Sequence, residues 1–478
     1  MRFCLLIITL LITPTYANNF DENKNIKHLR QSITLGKVNF SVTSKNPAAK
    51  EHFLLGTAFL HAFMYDLAIS QFKQAQQLDP DFAMSYWGEA LAYKHPIWNS
   101  ENLTSAQNTL KRYAAHKTQY PITPKEQGYL RAAQRLFSNA SLYQRDRAYM
   151  LEMKRLHQQF PSDADVASFY ALSLLGIASD FPKHKESEKY IEEGRKLTEH
   201  LFKKYPNHPG VIHYYLHYHD NPNLIIAQKG LPAAKIALNL MNSSSHVTHM
   251  AAHIYRRLKL WDDYILANQA SITASDNLCK TLHKYPIYAC DAENKYHSLE
   301  WLHEGYLKKK RYRVASHLVK QMAKISENDP GLEYKEWYYR MWARQVLISK
   351  NWKMPMIEIL PIAKPNADLY WTAYSECGAL HAASFLAIHQ AKPIKSQLNR
   401  LDTLIRYTNG LTDPYIKQTC QIAKLEIQAE AAKQRGELKT ANIYLAQAIS
   451  QQKKQISTEL TPSLNFLPAM LYYSNYWI

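Results

Sequence analysis

The stretch SHVTHMAAHIYRR (245–257) sets His246, His249 and His253 three and four residues apart, along one face of a helix. NHPGVIHYYLHYHD (207–220) carries His213 and His217 four apart, and NKYHSLEWL (294–302) adds His297 and Glu300. Two imidazoles one helical turn apart can chelate a single transition-metal ion, and zinc takes three or four such ligands. The candidate metal ligands are therefore His213, His217, His249, His253 and His297, and the cofactor such a set would take is zinc or another divalent transition metal. Asp220, Glu293 or Glu300 can complete the shell or orient an imidazole. Neither pair contains the glutamate of HExxH, so the usual metalloprotease base is missing.

Two metal-free readings compete with this one. In the first, the same face, comprising His213, His217, His246, His249, His253, His297 and Glu300, lines a groove that binds a peptide or an anion. In the second, Tyr- and His-rich helix faces simply hydrogen-bond and stack on each other. Eleven of the 21 histidines lie between residues 200 and 303, so the concentration is local. Other chemistries leave no trace in the sequence. It has no CxxC pair, no Gly-rich phosphate loop, no GxSxG elbow, and no Ser/His/Asp or paired-carboxylate constellation that can be located. If the chain is an enzyme, a metal-dependent hydrolase is the class these residues allow.

Histidines from three separate stretches can meet only if the chain folds back on itself in register, and this chain repeats. In AKEHFLLGTAFLHAFMYDLAISQFKQAQQLDPDF (49–82), Leu55, Gly56, Phe59, Ala68, Phe72, Ala75 and Pro80 stand at positions 7, 8, 11, 20, 24, 27 and 32. These match the 34-residue tetratricopeptide pattern. Small residues at 8, 20 and 27 let two antiparallel helices approach, larger ones fill the space between, and the proline stops the second helix. Residues 296–329 and 422–455 repeat the pattern more weakly, and FPSD and YPNHP mark helix ends between 83 and 206. Units that cannot bury their faces alone must stack. The expected fold is all-α, a tetratricopeptide-type α-solenoid over 46–478, preceded by a lead at 18–45 in which LGKVNFSV (35–42) alternates like a short strand.

Counting Ser245 as position one puts Ala252 and Tyr255 at packing positions 8 and 11, and His246, His249 and His253 at 2, 5 and 9. In the repeat beginning at Tyr296, His297 stands at 2, Glu300 at 5 and Glu304 at 9. With Ile212 at 4 and Leu216 at 8, His213 and His217 fall at 5 and 9. Positions 2, 5 and 9 lie off the packing stripe, so the three first helices are expected to send their histidines to one stretch of concave wall.

HAFMYDLAISQFKQAQQLDPDFAMSYWGEALAYKHPIW (61–98), with the His-rich stretches above, resembles a largely uncharacterised family of bacterial tetratricopeptide proteins over roughly residues 35–330. The resemblance implies a solenoid and brings no activity with it. Ala251 stands where members tend to have proline, and Glu293 where they tend to have another histidine, so this chain departs from the family pattern at both positions.

MRFCLLIITLLITPTYA (1–17) reads as a secretory signal cut after Ala17, since Pro14 interrupts an apolar run shorter than the about 20 residues that a membrane span needs. The mature chain has no transmembrane segment by this reading. It is exported, to the periplasm or beyond. Export leaves Cys279, Cys290, Cys377 and Cys420, an even number that permits disulfides, Cys279–Cys290 closing a short loop, or free buried thiols. The formal charge of +18, one less once Arg2 is removed, favours acidic partners. No nucleic-acid motif is present, and KKKRYR (308–313) reads as a solvated turn. A protein or peptide partner in the groove is expected, an extracellular effector is a further reading, and SLNFLPAMLYYSNYWI (463–478) offers an apolar surface for docking on the last repeat or for self-association.

Overall fold

The computed structural model describes residues 30–98, 100–116, 121–282, 292–328, 331–364, 369–411 and 414–456. The signal reading, Cys290, Glu293's side chain and the C-terminal apolar stretch lie outside them. The chain is an all-α, tetratricopeptide-type α-solenoid. Its helices are α1 Pro47–His61, α2 Tyr65–Leu78, α3 Ala83–Leu91, α4 Leu103–Ala115, α5 Pro124–Leu136, α6 Leu142–Gln159, α7 Ala164–Asp180, α8 Ser187–Lys204, α9 Pro209–His219, α10 Leu224–Leu240, α11 Ser245–Arg257, α12 Trp261–Leu282, α13 Ala292–Lys308, α14 Tyr312–Asn328, α15 Leu332–Ser349, α16 Leu369–His389, α17 Lys395–Tyr407, α18 Tyr415–Gln434 and α19 Leu438–Ile456. Consecutive helices pair as hairpins from α1–α2 to α13–α14, and the odd-numbered helices also pack on one another along the inner wall. After α14 the alternation loosens: α15 packs on α16, and α16 on α18.

The first hairpin shows why small residues recur. A Cβ on Gly56 would stand 2.9 Å from the Phe72 ring, and one on Gly88 only 2.4 Å from it. Phe72 of α2 thus fills the space that two glycines of α1 and α3 leave open. Trp87 beside Gly88 is fully buried, against Phe40, Tyr129 and Phe169.

Two features tie distant parts of this stack together. The C-terminal end of α1 reaches across to α9, four hairpins on. There His61 and His208 each direct Nε2 to Asp165 Oδ1 at 3.1 Å, and Tyr214 donates its hydroxyl to His61 Nδ1 at 2.9 Å. The lead also lies along the N-terminal ends of the inner helices. Thr34 and Ser243 exchange hydrogen bonds, Lys37 donates to the Asn207 carbonyl, and Thr43 gives its amide and hydroxyl to Glu126 at 2.6 and 2.7 Å. Leu35, Val38 and Phe40 are buried there, Phe40 among Phe53, Trp87 and Tyr129. Burial falls at residues 35, 38 and 40, with Gly36 at φ 77° between the first two, so one side of 35–42 is turned to the inner wall while the segment joins no ladder. Among the described residues the one sheet is the pair β1 Lys94–His95 and β2 Ser100–Glu101.

No helix among the described residues is long and apolar enough to cross a membrane. Cys279 is disulfide-bonded, whereas Cys377 and Cys420 are free, buried thiols.

Candidate metal centre

Each histidine-bearing helix begins at a defined cap. His208 caps α9, its Nδ1 accepting from the Val211 amide, and Pro209 supplies the fixed φ of a first helical turn. Ser244 caps α11 through the Val247 amide at 3.1 Å. These starts fix the rotation of α9 and α11, and so the direction in which positions 5 and 9 point.

The six histidines separate into two groups. His213, His217 and His246 form one, His249, His253 and His297 the other, and in each a ligand atom of every member lies within 4.8 Å of the others. In the first group, His217 Nε2 stands 3.0 Å from His213 Nε2 and 3.5 Å from His246 Nε2. In the second, His249 and His253 face each other Nε2 to Nε2 at 3.2 Å, with the His297 ring 4.6 Å from that of His249. Nitrogens bound tetrahedrally at 2.0–2.1 Å from one zinc lie about 3.3–3.4 Å apart. The observed separations bracket that edge length.

The outer nitrogens are held. His213 Nδ1 donates to the His61 carbonyl at 2.6 Å, and a carbonyl can only accept. His253 Nδ1 donates to Asp220 Oδ2 at 2.8 Å. His249 Nδ1 donates to Asn268 Oδ1 at 2.9 Å, the amide being oriented by the bond from Asn268 Nδ2 to the Tyr264 carbonyl. With Nδ1 donating outward, Nε2 is in all three rings the atom turned inward, the one a metal would take. The Nε2 atoms of His249 and His253 face each other at 3.2 Å, a spacing at which two imidazoles can share one metal ion.

Burial reinforces this. His213, His246 and His249 are buried, and His253 has 18% of its side chain exposed. Burial, and then the neighbouring imidazoles, hold His213, His217, His246 and His249 well below the ordinary histidine pKa. Burial brings His297 down to about 4. The rings of His213, His217, His246, His249 and His297 are thus neutral at pH 7, as ligation requires.

The structure corrects two expectations. The histidines do converge on the inner wall, but they do not line an open groove. Phe63, held in a left-handed turn at φ 59°, lays its ring 4.3 Å from His213 and also covers His217 and His246, which Trp98 meets from the β1–β2 turn. Trp301 covers the second group, stacked on His253 at 4.4 Å. Glu300 is not a ligand in this arrangement. Both its oxygens accept from Arg340 at 2.9 Å, and Oε1 also from Arg344 at 2.6 Å. Conversely, His246 completes the first group although its spacing alone did not mark it as a ligand.

Sequence reasoning missed the third cluster, His61–Asp165–His208, whose members lie more than a hundred residues apart at the extremes. Burial would raise the Asp165 pKa, yet the charges and hydrogen bonds of His208 and His61 bring it below the usual carboxylate range. Both nitrogens of both rings have hydrogen-bond partners, so this cluster ties α1 to α7 and α9 and leaves no lone pair turned inward.

No family model matches the chain, and no curated protein matches it. Among solved structures it is similar to a human IFIT1 dimer with PPP-AAAA, at 14% identity, 92% of this chain, 94% of that one and a TM-score of 0.31. It is also similar to yeast Tom70, at 11% identity, 90% and 89% coverage and a TM-score of 0.35. A third is the P58(IPK) TPR domain, at 13% identity, 84% and 99% coverage and a TM-score of 0.21. The fold assignment rests on the helix pairs described above.

Proposed function

We propose that this helical scaffold binds transition-metal ions through its inner histidines, zinc being the first choice. One observation carries the reading: in the His249 group, Asp220 and Asn268 take the outer nitrogens and leave the two Nε2 atoms facing each other 3.2 Å apart. Three imidazoles leave a fourth position where water can bind, and a metal-bound water is the nucleophile a hydrolase would use. The bacterial His-rich family resemblance and export belong to the same proposal; the disulfide at Cys279 supports an oxidising compartment. The experiment is elemental analysis of protein purified without chelator, beside His249→Ala and His253→Ala. Stoichiometric metal that falls in both variants supports the reading. Protein that stays metal-free at micromolar zinc removes it.

A protein or peptide partner is the second reading, and it moves away from the covered histidines. An open groove lined by Tyr312, Arg313, His317, Lys320, Asn351 and Met354 favours it, basic enough to attract an acidic segment. Cross-linking with mass spectrometry should map such a partner to α14 and α15. Cross-links confined to other helices would count against it.

A further inference from the structure

The two histidine groups are copies of one arrangement. His213 and His217 stand at positions 5 and 9 of their repeat, and His246 at position 2 of the next; His249, His253 and His297 occupy the same three places one hairpin further on. Helix α11 serves both, giving position 2 to the first group and positions 5 and 9 to the second. Each group has its own aromatic cover, Phe63 with Trp98 over one and Trp301 over the other. The series then stops. Positions 5 and 9 of α13 are Glu300 and Glu304, and these are met by Arg340 and Arg344 and by Arg256.

We propose that the two groups hold two transition-metal ions, one each, as a coupled pair. This rests on the metal reading above and goes beyond it in number and in charge. Within each group the three ligand atoms lie close enough to surround one ion, and the six histidines divide between two such shells. The groups are also joined: His246 of the first stands on α11 three residues from His249 of the second. Two divalent ions bring four positive charges to the six imidazoles. The nearby carboxylates are already matched, Asp220 by Arg257, Glu304 by Arg256, and Glu300 by Arg340 and Arg344. The second ion would therefore bind more weakly than the first, and small anions from solvent would complete the shells.

The test is titration of the chelator-treated full chain with zinc against a chromophoric chelator. His217→Gln removes a ligand from the first group and His297→Gln one from the second, with His246→Gln and His253→Gln as replacements should either fail to fold by circular dichroism. The wild type is expected to take two equivalents, in two resolved steps, and each variant to lose one. Cobalt should give tetrahedral d–d absorption that grows through two equivalents. A single equivalent in the wild type, removed by variants of both groups, overturns the pairing and leaves a one-metal site. Two equivalents retained in both variants overturn it as well. No binding at all removes the underlying metal reading with it.

Discussion

Replacing Asp220 by Asn alters chemistry without altering shape. The carboxylate accepts from two donors, Arg257 Nε at 2.6 Å on Oδ1 and His253 Nδ1 at 2.8 Å on Oδ2. An amide has one acceptor oxygen. The charged guanidinium takes it, because a charge-assisted bond is the stronger of the two, and the amide NH₂ is left facing His253 Nδ1. His253 must then either meet donor with donor or move its proton to Nε2, the atom aimed at His249. A buried, mispaired donor costs about 1–3 kcal/mol, which corresponds to about five- to a hundred-and-sixtyfold in metal affinity and spans the about ten- to a hundredfold seen when an orienting partner is lost. The assay is competitive zinc titration of Asp220→Asn against the wild type, with melting curves as a control for the fold. The weakened step should be the one assigned to the His249 group, while that of the His213 group changes little. Unchanged affinity in both steps would show that His253 is not a ligand, or that Asp220 does not set its tautomer.

Further outcomes test the frame around the site. Gly88→Ala drives a Cβ to 2.4 Å from the Phe72 ring and should destabilise the chain by about 1–3 kcal/mol; a denaturation midpoint equal to wild type would contradict the packing of the first repeats. Phe40→Ala removes the ring that anchors the lead between Phe53, Trp87 and Tyr129, with an expected loss of about 3–5 kcal/mol, and a wild-type melting temperature would mean that the lead does not occupy the inner wall. Acid should weaken the metal-free fold in a defined window. His213, His246 and His249 are held well below 6.5 and His297 near 4, so below pH 6.5 the unfolded chain binds more protons than the folded one. Stability present above pH 6.5 should fall as pH drops towards 4. Urea midpoints of chelator-treated protein that are flat across that window would contradict the burial of these rings.

Much of this was legible in the sequence, because helical repeats write local rules. Gly56, Phe72 and Pro80 announce a hairpin through spacing alone, and positions 2, 5 and 9 of the His-bearing repeats point away from the packing stripe whatever lies beyond them. Contacts between distant repeats follow no such rule. The curvature that carries His61 to Asp165 and Tyr214 accumulates over many hairpins, so neither that junction nor the covering of His213 by Phe63 could be read from a window of residues. Glu300 failed as a ligand for the same reason: Arg340 and Arg344, forty or more residues on, reach it first. Alternating residue types at 35–42 suggest a strand, but they report only which side chains are buried, and a segment lying unpaired against an inner wall buries one side as a strand does.

Anomalous diffraction at the zinc edge, on crystals grown from zinc-loaded protein, reaches the central statement most directly. A peak is expected about 2.0–2.1 Å from Nε2 of His249 and of His253, with His297 completing the three protein ligands, and a second peak inside the His213 group. Rings still bonded to one another with no anomalous density between them, or zinc found only on surface histidines such as His317, would contradict it.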